Sequence, residues 1–109
     1  MVTQDWSEQI ILVELTDDPE FTDELNTLYE RLEKNTKKNI VLNFSQVKFM
    51  NSSNISLLLK VRKILTDNNR KLLLCEISVQ VWGVFLLTGL DAIFNVAEDT
   101  PSALAALQM

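Results

Sequence analysis

The residues of this chain that could do chemistry concentrate in one short polar stretch, Asn51-Ser52-Ser53-Asn54. A serine hydroxyl can cap a helix by accepting hydrogen bonds from backbone N–H groups, or attack a substrate when a base lies beside it. For Ser52 the bases considered are Lys60 and Lys63. The stretch therefore indicates a helix cap or a nucleophile.

The composition of the chain argues against the nucleophile. There is no histidine, which excludes a Ser-His-Asp triad, a Cys-His pair and most zinc sites. The sequence has only two glycines and lacks a glycine-rich phosphate loop. The acidic residues between positions 14 and 24 are interpreted as helix N-terminal charge and solvated surface rather than metal ligands. We predict a protein that is not an enzyme and uses neither a metal nor a cofactor.

Length and charge limit the number of domains and the kinds of partner. The chain has 109 residues, 47% of them hydrophobic, which predicts a single domain over residues 1–109 with a well-formed core. Fifteen acidic residues outnumber ten lysines and arginines, giving a net charge of −5. Nucleic-acid binding requires a basic stripe, so we predict no nucleic-acid partner and expect a basic or neutral protein surface instead.

The compartment is indicated by cysteine usage and by the N-terminus. Cys75 is the single cysteine and lies in an apolar run, where a small buried side chain is expected. One cysteine allows no intramolecular disulfide, which fits a reducing compartment. The N-terminal residues do not form a signal peptide, and no run reaches the length of a membrane span. We predict a cytoplasmic domain without membrane insertion.

The hydrophobic pattern predicts an α/β fold with a mixed sheet of four to five strands and about four helices. Apolar runs predict strands at 10–15, 40–44, 71–77 and 91–96, with a further short strand within residues 1–8. Helical periodicity follows each of the main strands. Asp18 and Pro19 suit the start of the first helix. The second helix is predicted over residues 53–67 and begins within the polar stretch.

Three apolar side chains outside the predicted core stripes have two interpretations each. On a helical wheel Ile55 and Leu59 lie toward the outward side that also carries Ser52, so they either contact a partner or pack against neighbouring helices. Trp82, on the third helix, is either an exposed partner-binding residue or a ring that folds onto the domain or closes a homodimer. The same helix is expected to bury Val81, Phe85 and Leu86.

Three stretches together resemble the STAS domain, the fold of anti-sigma factor antagonists and of the cytoplasmic tails of sulfate transporters. Residues 40–54 resemble the family's strand, loop and Phe-Met/Ile-Asp-Ser-Ser/Thr-Gly corner. Residues 71–78 resemble its strand before a serine-capped helix, and residues 79–107 its Leu-Thr/Ser-Gly-Leu segment and Ala-Leu tail helix. The resemblance departs at Asn51, where the family usually has aspartate, and at Asn54, where it usually has glycine. The glycine that commonly follows the second strand is also absent.

The resemblance implies a regulatory binding module of the anti-sigma factor antagonist type. Ser52 corresponds to the family's phosphoacceptor, and Ser53 is the next candidate. The implied partner is a serine-kinase anti-sigma factor that holds ATP or ADP, bound by residues of the corner and by Trp82 (Asn51, Ser52, Ser53, Asn54, Ile55, Leu59 and Trp82). Formation of a homodimer is a further alternative. The alternative function is an unphosphorylated scaffold or transport-associated module, like a stressosome subunit or the partner of a lipid-transport ATPase.

Overall fold

Strands and helices alternate along residues 2–108, the part of the chain that the computed structural model describes. The strands are β1 (Val2–Asp5), β2 (Ile10–Thr16), β3 (Asn39–Gln46), β4 (Leu72–Cys75) and β5 (Asn95–Ala97). The helices are α1 (Glu20–Lys34), α2 (Ser52–Asp67), α3 (Val79–Thr88) and α4 (Thr100–Gln108), with a 3-10 turn at Leu90–Ala92. The predicted α/β class and number of strands and helices are confirmed.

The five strands form one mixed sheet in the order β1-β2-β3-β4-β5. β1 is antiparallel to β2, and the other neighbours are parallel. Parallel strands end at the same edge of a sheet, so α2, which follows β3, and α3, which follows β4, both begin at that edge. The polar stretch predicted as a site therefore lies at the carboxyl edge of the sheet.

Alternating side chains of the strands face two different helix layers. Ile40, Leu42 and Phe44 of β3 belong to the larger core, which also includes the buried residues of α1, α2 and α3. Val41 and Cys75 belong to the smaller core beneath α4. Cys75 is fully buried, as its apolar surroundings predicted, and this burial raises the pKa of its thiol.

An aromatic cluster fixes α3 on the sheet. The ring of Phe85 makes edge contacts with Phe44 and Phe94, at centroid distances of 6.2 and 5.9 Å. Trp82 stacks on Phe85 at 5.8 Å. Because Phe44 lies on β3 and Phe94 just before β5, one side chain of α3 connects both halves of the sheet.

The structure corrects two predictions for the region after β4. Residues 91–96 do not form one strand: Gly89 adopts a left-handed conformation with φ of 75°, which ends α3 and starts the 3-10 turn, and only Asn95–Ala97 pairs with β4. Leu86, expected in the core, is 55% exposed. α3 packs through Val81 and Phe85, and Leu86 lies about 100° further round the helix.

β4 is also shorter than the prediction of 71–77. It ends at Cys75 because Glu76 adopts a positive φ of 59°, which is incompatible with an extended strand.

No helix within residues 2–108 combines the length and apolar composition needed to cross a bilayer.

Replacing Phe85 with alanine should lower the free energy of unfolding by about 3–5 kcal/mol, because a fully buried ring that joins α3 to the sheet is lost. Urea denaturation measures the change. Leu87→Ala is the control: this side chain is 90% exposed, so the variant should stay within about 0.5 kcal/mol of the parent. Equal losses in the two variants would contradict the assigned packing of α3.

Candidate functional site

The polar stretch forms the N-terminus of α2, and two asparagines cap it reciprocally. The backbone of Asn51 is extended, and its Oδ1 accepts a hydrogen bond of 2.8 Å from the backbone N–H of Asn54. Oδ1 of Asn54 accepts one of 3.0 Å from the backbone N–H of Asn51. This is a capping box in which both roles are filled by asparagine.

The carboxylate of Asp18 ties this cap to the start of α1. Its Oδ2 accepts hydrogen bonds from the amide groups of Asn51, at 3.1 Å, and Asn54, at 2.9 Å. Its Oδ1 accepts from the backbone N–H of Thr22, at 3.0 Å, and from the Thr22 hydroxyl, at 2.7 Å. These donors, the Thr22 hydroxyl above all and then the Asn54 amide, hold the pKa of Asp18 below its ordinary value of 3.8.

The neighbouring carboxylate holds the segment that leads into α2, residues 47–51, called here the β3–α2 loop. Oδ1 of Asp17 accepts hydrogen bonds from the backbone N–H groups of Lys48, at 2.7 Å, and Phe49, at 3.1 Å. Val47 is buried at the start of the loop, yet the Phe49 side chain is 76% exposed. The loop therefore has a fixed backbone and presents an aromatic ring to solvent.

Asn54 is one of the residues predicted to contact a partner, and its burial corrects that prediction. It is only 2% exposed, so it stabilises the corner from a buried position. Asn51 is exposed at the rim. The two departures from the family motif share one physical reason: Asp18 already supplies a carboxylate, so positions 51 and 54 require amide donors to face it.

The role of Asp18 also differs from the sequence prediction. Asp18 was expected at the N-cap of α1, but that position is occupied by Pro19, which has no side-chain cap bond. Asp18 lies one residue earlier and still accepts a hydrogen bond from the first turn, through Thr22. Its second oxygen remains available for the asparagines of α2, which a residue at the N-cap itself would reach less easily.

Ser52 and Ser53 are both exposed at the first turn of α2, which contains no acidic residue. The unpaired N–H groups there favour an anion. Ser53 lines a groove of about 340 Å³ between α1 and α2, together with residues of both helices (Thr22, Asn26, Ser56, Leu57 and Lys60). Ser52 does not line this groove. Its position on the helix points away from the buried residues of α2.

Ile55 and Leu59 are half-buried and pack against the large core. Lys60 and Leu57 mark the side of α2 that faces α1, so Ile55 and Leu59 lie on the other side. Each of the two side chains is therefore partly packed and partly exposed, which is compatible with both interpretations made from the sequence.

Phe49 was not predicted as a site residue. An aromatic residue in the loop between β3 and α2 is a signal that could have indicated its exposure.

Trp82 lies elsewhere on the molecule. It is half-buried, stacks on Phe85 and lines a cavity of about 440 Å³ over β5, with Ile77, Val96, Ala97 and Glu98. No residue of the β3–α2 loop or of the first turn of α2 lines this cavity. The structure therefore brings Asn51, Ser52 and Ser53 together with Asp17, Asp18 and Phe49, and it places Trp82 in a different cavity.

Asn51→Asp tests the network around Asp18. The new carboxylate would lie beside Asp18 at pH 7, so stability should fall by roughly 1 kcal/mol after allowance for solvent screening. Repulsion raises the pKa of the new Asp, so the loss should shrink as the pH falls below about 5. Thermal unfolding between pH 3 and 7 measures it. Asn26→Asp, an exposed control on α1, should lack this pH dependence. A pH-independent loss at position 51 would contradict the contact with Asp18.

Asn54→Ala removes the buried half of the capping box. The free energy of unfolding should fall by about 1–2 kcal/mol, because the N–H of Asn51 and the carboxylate of Asp18 each lose a partner. Chemical denaturation measures this, with the exposed Ser56→Ala as a control expected within about 0.5 kcal/mol of the parent. If Asn54→Ala proved as stable as the control, the capping box would not hold the corner.

Known proteins share this fold over nearly the whole chain. A Thermotoga maritima protein described as an anti-sigma factor antagonist candidate superposes with a TM-score of 0.85 at 16% identity, covering 99% of this chain and 94% of its own. The anti-sigma factor antagonist SpoIIAA, in its unphosphorylated form, gives 0.82 at 19% identity, with 98% and 95% covered. A sulfate transporter family protein from Wolinella succinogenes gives 0.78 at 20%, with 94% and 87% covered.

These identities establish a common fold. The family itself is shown by the sequence: a family model described as the STAS domain matches residues 18–103, which include Asp18, the corner and α3. The chain belongs to the STAS domain family.

Proposed function

We propose that the chain is a binding module of the anti-sigma factor antagonist type. It binds a serine-kinase anti-sigma factor that holds ATP or ADP, through the corner formed by the β3–α2 loop and the first turns of α2. Phosphorylation of Ser52 ends this binding. The observation that carries the proposal is the exposed Ser52 at a helix N-terminus whose surroundings are held by Asp17 and Asp18. On this proposal the module acts in the cytoplasm and has no catalysis of its own.

The corner suits a partner surface because it is already ordered. The backbone of the β3–α2 loop is bonded to Asp17, and the cap of α2 is bonded to Asp18. Binding therefore orders few additional groups, which lowers the entropy loss on association. Phe49 supplies exposed aromatic area, and the half-buried Ile55 and Leu59 supply apolar area further along α2. The carboxylates and the net charge of −5 favour a partner with a basic surface.

Phosphate at Ser52 would act as a charge switch. It adds about −1.5 to −2 charges at neutral pH. Within the chain, the N-terminus of α2 favours such an anion, and Ser52 lies about 200° round the helix from Asn54, which bonds to the Asp18 carboxylate. A partner surface that already holds nucleotide phosphates would repel it. The fold therefore survives the modification, while the complex does not.

Ser52 is preferred over Ser53 because of where each lies on α2. A kinase must bring its nucleotide close to the hydroxyl. Ser53 lines the groove against α1, beside Thr22 and Asn26, which restricts approach from one side. Ser52 is exposed on the outward side of the helix. Ser53 stays the second candidate.

The structural relatives support the switch as a precedent. SpoIIAA is an anti-sigma factor antagonist and a Bacillus cell fate determinant. Its structure is known in both the unphosphorylated and the phosphorylated form. Both forms share the fold of this chain, with TM-scores of 0.82 and 0.76. A phosphorylated member of this fold is therefore structurally feasible.

A second candidate function is a scaffold or transport-associated module that uses the same corner without phosphorylation. The specific observation in its favour is the pair of amides at positions 51 and 54, which replace the family's usual aspartate and glycine. Similar folds also occur in the stressosome and in a sulfate transporter family protein. Under this reading the partner would be another scaffold subunit or a transporter ATPase.

The two candidates differ in how binding responds to a charge at position 52. Immobilised chain should capture a nucleotide-binding serine kinase from extract of its source cells, identified by mass spectrometry. Calorimetry with the purified kinase should show that Ser52→Asp weakens binding at least about 100-fold, roughly 2.7 kcal/mol, while Ser52→Ala retains it.

Ser102→Asp is the matched control, because it adds the same charge at an exposed position on α4, on the opposite face of the sheet. It should leave the affinity unchanged. Undiminished binding by Ser52→Asp would overturn the switch. Recovery of a transporter ATPase or of scaffold subunits, with no kinase, would favour the second candidate.

A further inference from the structure

α3 has an outward face that is apolar, although it lies at the surface. Its sequence, VQVWGVFLLT, contains no charged residue. Val79 is 87% exposed, Leu86 55% and Leu87 90%, and Gly83 lies between them on the helix. A helix that is apolar on all sides is normally covered by other protein. Here only the side with Val81 and Phe85 is buried against the domain.

The exposed apolar area continues beyond α3. Ile93, after the 3-10 turn, and Val96, on the edge strand β5, are each 40% exposed. Between α3 and β5 the 440 Å³ cavity is walled by Trp82 and Val96. We call this area the α3–β5 surface, formed by Val79, Trp82, Leu86, Leu87, Ile93 and Val96. Contiguous exposed apolar patches mark interaction sites, whereas isolated exposed leucines do not.

The cavity end of the α3–β5 surface is acidic, whereas a basic side chain lies at the Ile93 end. Glu98 is exposed and lines the cavity beside Trp82. Arg62 of α2 donates from Nε to the backbone carbonyl of Ile93, at 3.3 Å. Glu76 and Asp99 bond to the first turn of α4. An apolar cavity with a carboxylate at its edge is complementary to an apolar side chain with a cation beside it.

We propose that the α3–β5 surface binds an amphipathic helix of a partner protein, with large apolar side chains on one face and lysines or arginines on its flanks. One apolar side chain enters the cavity beside Trp82, and a flanking cation pairs with Glu98. α3 is ten residues long, about 15 Å, which matches apolar anchors at positions i, i+3, i+4 and i+7 of a helix.

This site goes beyond the proposed function, because it uses none of the residues around Ser52. Trp82 was grouped with the corner from the sequence, and the structure instead associates it with β5. A partner could engage both surfaces, or two partners could bind independently. The test must therefore separate the α3–β5 surface from the corner.

The probe is an 18-residue helical peptide with leucines at i, i+3, i+4 and i+7 spacing and lysines on the flanks. A matched peptide carries glutamates in place of the lysines. Trp82 fluorescence reports binding in a Trp6→Phe background, which leaves one tryptophan. We expect a saturable blue shift with the lysine peptide and none with the glutamate peptide. Val79→Gln and Leu87→Gln, both at exposed positions, should each weaken binding about tenfold through loss of buried apolar area.

Ala106→Gln is the control, since it places the same side chain at an exposed position on α4, and it should bind the peptide like the parent. Equal binding of both peptides, or equal weakening by Leu87→Gln and Ala106→Gln, would overturn the proposal. Sedimentation showing a dimer that Leu87→Gln abolishes would assign the surface to a second copy instead. Val79→Gln and Leu87→Gln should retain Ser52-dependent kinase binding, so failure here is distinguishable from failure of the proposed function.

Discussion

The Asp18 carboxylate is the contact on which the corner depends. One oxygen bonds to Thr22 at the start of α1, and the other bonds to Asn51 and Asn54 at the start of α2. The two helices follow different strands, and this single group connects their N-terminal ends. Because the pKa of Asp18 is lowered, its contribution to stability is present above its ordinary pKa and is lost as the pH falls through the folded-state value. The corner is therefore ordered at neutral pH without a charged residue in the first turn of α2.

The charges of the chain divide the molecule into two surfaces of different chemistry. The corner after β3 combines fixed backbone, hydroxyls and an exposed aromatic ring, with the nearest carboxylates engaged in hydrogen bonds. The α3–β5 surface after β4 is apolar, with the carboxylate of Glu98 at the edge of its cavity. α2 and α3 both start at the carboxyl edge of the parallel strands. On the two proposals, the chain presents a switchable surface and a constitutive one.

Local patterns predicted most of the fold, and contacts between distant residues account for what they missed. Strand alternation and helix periodicity depend on neighbouring residues, so the sheet and the four helices followed from the sequence. The burial of Asn54 depends on Asp18, 36 positions away, and no local pattern reports such a pair. The short β5 arose from the backbone conformation at Gly89 and the short β4 from that at Glu76, and the latter is unusual for a residue other than glycine.

Phosphosite mapping tests the central claim most directly. The purified chain would be incubated with MgATP and the kinase captured on it, then digested and analysed by tandem mass spectrometry alongside native mass spectrometry of the mixture. The account predicts one phosphate, on Ser52, and dissociation of the complex as that phosphate accumulates. Phosphate on another residue while Ser52 stays unmodified, or a fully phosphorylated Ser52 in an intact complex, would contradict it.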